Sequence, residues 1–242
     1  LLVDAVQCSK FITYKKSHEL IKKIESLASF HQAALLHRQV YVANRVKAIN
    51  ENIYYNVDRL HVAIAENKQV SFKYFDYDIK KEKKYRKDGN LYFVSPNALS
   101  WEDENYYLIT FSEKYNDFIH YRVDRMTNIE IIDQPRAILP DNEQFNIVDY
   151  SKKVFNMFGG EEETVKLKFD NSLVNAVIDR FGKDVTLDKV DDNSFSIRIN
   201  VAISSTFFAW LAQFGNKVKI LSPESVIEKY KNSIQEILEQ YK

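Results

Sequence analysis

The stretch that decides the fold runs from Val70 to Asp133 and contains Tyr106-Tyr107-Leu108 and Tyr121-Arg122-Val123-Asp124-Arg125-Met126. At its start, Val70, Phe72 and Tyr74 alternate with polar residues, which is the period-two pattern of a half-buried strand. Further strands are predicted over residues 91–99, 106–112, 118–124 and 128–133. Five short strands with polar turns predict a small closed or nearly closed barrel.

A basic hairpin is predicted early in this stretch. Asp88-Gly89-Asn90 is a turn signal, because glycine readily adopts the positive φ of tight hairpin turns. Four lysines precede this turn: Lys80, Lys81, Lys83 and Lys84. We interpret them as part of a solvated hairpin in which they protect a strand edge, rather than as a patch that binds nucleic acid.

The same stretch resembles the WYL domain, a bacterial ligand-sensing module named for a Trp-Tyr-Leu tripeptide. Tyr106-Tyr107-Leu108 stands at the tripeptide, with tyrosine in place of tryptophan. Val94-Ser95-Pro96 with Ala98-Leu99 resembles the family's hydrophobic-proline-hydrophobic segment, and Tyr121-Arg122-Val123-Asp124-Arg125 resembles its Phe-Arg-Leu-Asp-Arg signature. The resemblance implies a transcriptional regulator: a winged helix-turn-helix, a linker helix region, an Sm-like (SH3-like) barrel and a C-terminal extension.

The residues before the barrel predict a helical linker region over 1–68. Ser17 is a plausible N-cap for a first amphipathic helix, a second helix is predicted over 56–67, and residues 39–50 resemble a strand-like connector. A helix-turn-helix is not recognisable here, and the chain begins at Leu1 without methionine. The resemblance therefore places the element that binds double-stranded DNA before Leu1.

The residues after the barrel predict a small α/β module. Strands and helices follow the order β-α-β-β-α-β with one helix added, which is the order of a ferredoxin-like fold. The predicted class is α+β, with a linker over 1–68, a barrel over 69–135 and a ferredoxin-like extension over 141–242. One short helix carries four aromatic residues: Phe207, Phe208, Trp210 and Phe214. If these rings are exposed, they predict a homodimer through this module; the alternative is that all four lie in the core of the module.

Composition excludes several classes of protein. The chain has 242 residues, 45% of them hydrophobic and 28% charged, and 34 basic residues balance 34 acidic ones, so a general basic excess for nucleic acid is absent. The sequence has no apolar run long enough to cross a membrane. Its single cysteine, Cys8, cannot form an internal disulfide, so we expect a cytoplasmic location. The five glycines and five histidines form no dinucleotide, phosphate-loop or zinc motif, so we expect no enzyme, cofactor or metal site.

The arginines of the signature carry the site hypothesis. A guanidinium group is a planar set of donors suited to phosphate or carboxylate, so Arg122 and Arg125 predict a site for an anionic ligand. In a regular strand these two side chains point apart, so they meet one ligand only if the strand bends or ends near Asp124. The alternative is that Arg125 pairs with Asp124 or another carboxylate and only braces the barrel. The other predicted ligand-binding residues are Tyr74, Arg86, Ser95, Tyr107 and His120.

Two functions stay open at this point. In the first, the barrel binds a nucleotide or single-stranded nucleic acid effector, and the linker helices relay this to an upstream DNA-binding domain. In the second, the chain is a ligand-free protein-interaction and dimerisation module.

Overall fold

The computed structural model of the chain describes residues 2–27, 47, 52–137, 147, 150, 153–155 and 157–242. The fold divides into two compact units, Leu1–Glu143 and Gln144–Lys242. Each unit combines helices with an antiparallel sheet, and the predicted α+β class is confirmed.

Within the described residues of the first unit, three helices precede the sheet: α1 (Leu2–Cys8), α2 (Tyr14–Glu25) and α3 (Ile53–Ala65). The N-cap of α2 is Thr13, whose hydroxyl accepts the backbone N–H of Lys16 at 3.2 Å. The prediction that Ser17 caps this helix is therefore wrong. Ser17 lies buried in the first turn and accepts a hydrogen bond from Lys47 Nζ at 2.8 Å. Apart from Lys47, the predicted connector over 39–50 lies outside the described residues.

The five predicted strands of the barrel are present, and a sixth short strand, β2, was not predicted. The strands are β1 (Lys68–Tyr77), β2 (Lys83–Tyr85), β3 (Tyr92–Glu102), β4 (Asn105–Ser112), β5 (Asp117–Arg122) and β6 (Met126–Pro135). Their order is β2-β1-β3-β4-β5, and β6 also pairs with β1. Strands β5 and β6 follow each other in sequence but do not pair, so the described sheet curls into a half-barrel.

The predicted turn at Asp88-Gly89 is present, but it does not form a hairpin. Strands β2 and β3 both pair antiparallel with β1, so the chain keeps its direction through the turn. The turn spans Arg86–Gly89, and Lys87, Asp88 and Gly89 have φ values of 50°, 52° and 79°. Three successive left-handed residues bulge the chain away from β1 rather than reversing it.

The core of the first unit forms from the inward side chains of the strands and one face of α3. Val70, Phe72 and Tyr74 are buried as predicted, but Ser71 and Phe75 on the other face are buried as well, so β1 is not the half-buried strand that the period-two pattern predicted. Helix α3 adds Leu60 and Ala63 to this core, and Asn56 Nδ2 donates to the carbonyl of Met126 at 3.1 Å. Each large apolar side chain buried here stabilises the fold by about 1.5–3 kcal/mol.

The second unit has the predicted β-α-β-β-α-β order with an added helix. Its elements are β7 (Glu162–Asp170), α4 (Val174–Phe181), β8 (Asp188–Asp191), β9 (Ser194–Ala202), α5 (Ser205–Ala212), β10 (Val218–Ser222) and α6 (Glu224–Glu239). The strand order β10-β7-β9-β8 is antiparallel throughout, as in a ferredoxin-like sheet. Within the described residues, every helix is too short or too polar to cross a membrane.

The aromatic side chains of α5 lie in the core of this unit. Phe207 is fully buried, and Phe208, Trp210 and Phe214 pack against the same core. The rings therefore fill the unit's own core, and the exposed aromatic surface that motivated the homodimer prediction is not present.

Candidate ligand site at the end of the half-barrel

Strand β5 ends at Arg122, and a 3-10 turn over Val123–Arg125 follows it. Val123 is fully buried, which anchors the turn and leaves Asp124 and Arg125 partly exposed. The strand therefore ends near Asp124, so the regular alternation that would point Arg122 and Arg125 apart stops there.

The guanidinium group of Arg122 has a carboxylate and an amide as partners. Its Nε and Nη2 donate to the two carboxylate oxygens of Asp124 at 3.0 and 2.9 Å, and Nη2 also donates to Asn105 Oδ1 at 2.8 Å. Burial alone would lower the pKa of Arg122, but the hydrogen bond and charge of Asp124 outweigh it and raise the pKa. Arg122 is therefore a fixed, half-buried positive charge.

Asp76 joins the two other arginines. Its carboxylate accepts from Arg86 Nε at 2.5 Å and from Arg125 Nη1 at 2.9 Å. The hydrogen bond from Arg86 is the largest cause that lowers the pKa of Asp76, and the charges of Arg86 and Arg125 add to it. Three guanidinium groups thus meet two carboxylates, which leaves one net positive charge on partly exposed side chains.

The left-handed turn over Arg86–Gly89 places two cations over aromatic rings. The Arg86 guanidinium lies 5.2 Å from the ring centroid of Tyr74, and Lys87 Nζ lies 3.9 Å from that of Tyr92. Non-glycine residues in the left-handed region cost roughly 1 kcal/mol each, so contacts of this kind help to hold the turn in place.

The rings beneath these cations form an aromatic cluster. Tyr74 and Tyr121 have centroids 5.4 Å apart, and Tyr92 lies 5.7 Å from Tyr121 and stacks on Phe72 at 5.4 Å. Burial is the main cause that raises the pKa of Tyr121 to about 12, and burial also raises the pKa values of Tyr74 and Tyr92. The phenols therefore stay neutral at physiological pH and do not repel an anion.

The structure brings five of the seven predicted site residues to the end of the half-barrel. Tyr74 lies at the centre: the Arg122 backbone N–H and the charges of Arg125 and Arg86 all act on its hydroxyl. Tyr107 pairs directly with Arg122 across β4 and β5, and the charges of both Arg122 and Arg125 reach it.

The two remaining predicted residues lie elsewhere on the sheet. His120 is two positions before Arg122 on the same face of β5, opposite Ile109. Ser95 is buried on β3 opposite Phe111, and its hydroxyl accepts the backbone N–H of Ala137 at 2.8 Å. Ser95 therefore supports the chain that leaves β6 and lies away from the arginines.

Sequence reasoning missed Asp76, Lys87 and Asn105. Asp76 continues the alternation of Val70, Phe72 and Tyr74, so that pattern already placed a carboxylate on the face that carries Tyr74. No sequence pattern indicated Lys87 or Asn105. The left-handed turn brings Lys87 to the site, and the pairing of β4 with β5 brings Asn105 there. No group of three or more His, Cys, Asp or Glu side chains within the described residues is arranged to hold a metal ion.

Comparisons with known proteins agree with the resemblance found in the sequence. A model of the WYL domain matches residues 55–131, and a model of the WCX domain matches residues 161–238. A solved structure, the proteasome accessory factor B/C (PafBC) of Arthrobacter aurescens, is similar at 18% identity over 87% of this chain, with a TM-score of 0.32. The chain covers 30% of that structure's length. The curated proteins include no match. The chain therefore belongs to the proteins that carry a WYL domain followed by a WCX domain.

Proposed function

We propose that this chain is the effector-sensing portion of a transcriptional regulator, and that the arginine-rich end of the half-barrel binds a nucleotide or a short single-stranded nucleic acid. The observation that carries the proposal is the arrangement of the arginines around Tyr74: the backbone N–H of Arg122 donates to its hydroxyl, and the Arg86 guanidinium lies 5.2 Å from its ring centroid. The charge of Arg125 also reaches this hydroxyl. Guanidinium groups beside aromatic rings suit both parts of a nucleotide, because the phosphate accepts hydrogen bonds and the base stacks.

The carboxylates set the strength of this binding. Asp76 and Asp124 already accept hydrogen bonds from all three arginines, so an incoming phosphate must share or displace these partners. We therefore expect moderate affinity that falls with salt, and a rearrangement of the arginines when the ligand binds.

A contiguous set of contacts connects this site to the N-terminal helices. Arg122 donates to Asn105, which begins β4 at the tip of the β3–β4 hairpin. Trp101 and Tyr106 flank that tip, and their rings lie 5.5 and 4.9 Å from the ring of Phe11. Movement of Arg122 would therefore act on the segment just before α2.

Phe11 continues the connection toward α2. Its ring also lies 5.4 Å from Tyr54, whose hydroxyl accepts the backbone N–H of the α2 N-cap, Thr13, at 3.1 Å. We propose that ligand binding reaches α2 along this route, and from there an upstream domain that binds double-stranded DNA. The proposed organisation is a linker over 1–68, a barrel over 69–135 and an extension over 141–242.

The experiment that tests this function has two parts. Mass spectrometry of small molecules released from the purified chain would identify a nucleotide or oligonucleotide that copurifies. Fluorescence anisotropy with a labelled oligothymidylate would then compare the parent with Arg122→Ala and with the exposed control Lys231→Ala. Loss of one charge-assisted hydrogen bond costs about 1.5–3 kcal/mol, which predicts roughly ten- to hundredfold weaker binding for Arg122→Ala alone.

A ligand-free interaction module is the second candidate function. The observation that favours it is the complete pairing of the three arginines with Asp76 and Asp124, which is also what a structural brace requires. Under this function, neither a copurifying ligand nor an arginine-dependent affinity is expected.

We also propose that the chain forms a homodimer through its second unit. Helix α6 and the C-terminal residues after it leave apolar side chains exposed, at 39% for Ile234, 56% for Ile237, 53% for Leu238 and 85% for Tyr241. Sedimentation of the parent and of Ile237→Glu at micromolar concentration tests this. A dimer in the parent and a monomer in the variant are expected, and a monomeric parent would contradict the proposal.

A further inference from the structure

Helix α2 has one side fixed to the protein and one side exposed. Helix α1 packs against it, and Ser17 in its first turn is buried. The ammonium group of Lys47 fixes this side, because its Nζ donates to Ser17 Oγ at 2.8 Å and to the carbonyls of Val6 and Ser9 at 3.1 and 3.0 Å. The other side of α2 is therefore held toward solvent in one orientation.

Three exposed lysines lie on this solvent side of α2: Lys15, Lys22 and Lys23. Lys15 and Lys22 are seven residues apart, which is close to two turns of helix, so they lie on one stripe about 10.5 Å apart along the axis. Lys23 lies beside Lys22 at the edge of the same stripe. The half-barrel ligand site uses none of these lysines.

Carboxylates do not balance the charge of these lysines. Glu19 is the exposed acid of α2, and it is already paired with Lys16 at 3.1 Å. A carboxylate oxygen of Glu25, the other acid of the helix, is buried. Within the described part of the chain, no carboxylate lies within 4.0 Å of the three lysines. With the pair of Lys16 and Glu19 counted as neutral, the exposed side keeps one positive charge for each of the three lysines.

The two sides of α2 are unsuited to a membrane. A helix that lies on a membrane buries its apolar side among the lipids and turns its basic side to water. The apolar side chains of α2 are instead half-buried in the protein: Leu20, Ile21 and Ile24. The partner of the lysines must therefore be one that they contact through charge.

The positions between the lysines distinguish among polyanions. The exposed residues between Lys15 and Lys22 are His18 and Glu19, and Tyr14 lies outside the stripe, at the N-terminal end of the helix. An acidic protein would need apolar or aromatic anchors at the centre of its interface, and a single strand would need rings on which its bases stack. Double-stranded DNA needs neither, because its phosphates present one charge per about 1.7 Å of helix axis.

We propose that this surface, here called the basic face of α2 (Lys15, Lys22 and Lys23), binds the phosphate backbone of double-stranded DNA. The inference rests on the proposed function for its partner, since the proposed regulator brings double-stranded DNA to the chain through an upstream domain. Phosphate contacts carry no sequence information, so the basic face adds affinity without sequence preference. Thr13, the N-cap of α2, accepts no signal of its own but is where the route from the half-barrel reaches this helix.

The test uses the full chain and a fluorescein-labelled DNA duplex of about 24 base pairs, whose binding is followed by anisotropy across a salt series that starts near 50 mM. The variant Lys15→Ala/Lys22→Ala/Lys23→Ala removes the basic face and leaves good helix formers in α2. Each phosphate contact contributes about 0.9 to the slope of log affinity against log salt. The variant should therefore lose roughly 2 to 3 from this slope and bind the duplex at least about tenfold more weakly.

The matched control is Lys114→Ala/Lys183→Ala/Lys219→Ala, which removes the same charge from exposed lysines elsewhere. This control should change the affinity and the slope little. A second variant, with arginine at each of the three positions of the basic face, keeps the charge and should bind the duplex as the parent does. Retained binding in this variant shows that the alanine variant loses charge rather than structure.

The half-barrel variant Arg122→Ala/Arg125→Ala separates this inference from the proposed ligand site. It should bind the duplex as tightly as the parent, whether or not it loses the ligand of the half-barrel. Duplex binding lost equally in this variant and in the alanine variant of α2 would overturn the inference, because the half-barrel would then hold the duplex.

Three other results would also overturn the inference. The first is a parent that does not bind the duplex at low salt. The second is equal affinity and slope for the alanine variant of α2 and its matched control. The third is competition by polyglutamate as effective as that by unlabelled duplex, which would indicate a surface for an acidic protein.

Discussion

The phenolic oxygen of Tyr74 accepts the backbone N–H of Arg122 at 3.2 Å, across 48 positions of sequence. This bond joins the buried aromatic cluster to the last residue of β5. It fixes the point at which the strand ends and the turn that carries Asp124 and Arg125 begins. The position of the arginines therefore depends on a side chain of the core.

Tyr74→Phe should lower the free energy of unfolding by about 1 kcal/mol, because it leaves the Arg122 N–H without its partner. Tyr92→Phe is the matched control, since Tyr92 is similarly buried and no hydrogen bond of its hydroxyl is found within the described residues. Urea denaturation of both variants measures the difference. An equal cost for the two would show that the bond to Arg122 contributes nothing.

Acid should weaken the contact between Asp76 and its two arginines. The folded-state pKa of Asp76 lies below its ordinary value of 3.8, so its contribution is present above that value and is lost as the pH falls through the lower folded pKa. The side chain is about one third exposed, which limits the effect to roughly 1 kcal/mol. Comparison of the parent with Asp76→Asn by urea denaturation should show a difference at pH 7 that disappears at strongly acidic pH.

Alkali should destabilise the fold through Tyr121. Burial raises its pKa from 10.0 to about 12, so the folded chain holds this proton where the unfolded chain releases it. The contribution is complete below pH 10 and is lost between about 10 and 12. Tyr121→Phe should therefore lose less stability than the parent over this interval. Parallel stability curves for the two proteins would contradict this assignment.

Phe11→Ala should uncouple α2 from the half-barrel. The substitution removes three edge-to-face ring contacts, with Tyr54, Trp101 and Tyr106, each worth about 0.5–1.5 kcal/mol. Hydrogen exchange of the α2 amides should become faster in the variant. Addition of ligand should slow this exchange in the parent but not in Phe11→Ala, and equal protection in both would rule out this route.

Sequence patterns correctly predicted the features of the fold that depend on neighbouring residues, such as strand positions and the order of strands and helices. The alternation of Val70, Phe72 and Tyr74 predicted one buried face of β1, and the order of strands and helices predicted the α/β module. The burial of Ser71 and Phe75 on the other face of β1 was not predicted, because it depends on what packs there. The turn at Asp88-Gly89 was predicted, but its course was not, because the pairing of both β2 and β3 with β1 is a long-range property. Thr13 and Ser17 are both good capping residues, and the backbone before Tyr14 decides between them.

The candidate site was only partly predictable for the same reason. The signature identified Arg122 and Arg125, and the end of β5 satisfies the geometric condition for a shared site. The partner of Arg125 is Asp76, which lies 49 positions away, and no sequence pattern indicated that pairing. The alternative that the arginines brace the barrel therefore needs a direct measurement.

Comparison of Asp76→Asn with Arg125→Ala is that measurement, with calorimetric titration of a short oligothymidylate into each full-length variant. Both substitutions break the same ion pair, so both should lower stability. If the arginines bind the ligand, Arg125→Ala should bind roughly ten- to hundredfold more weakly, whereas Asp76→Asn should bind more tightly because it frees two guanidinium groups. Unchanged affinity in both variants, with only stability reduced, would contradict the account and identify the arginines as structural braces.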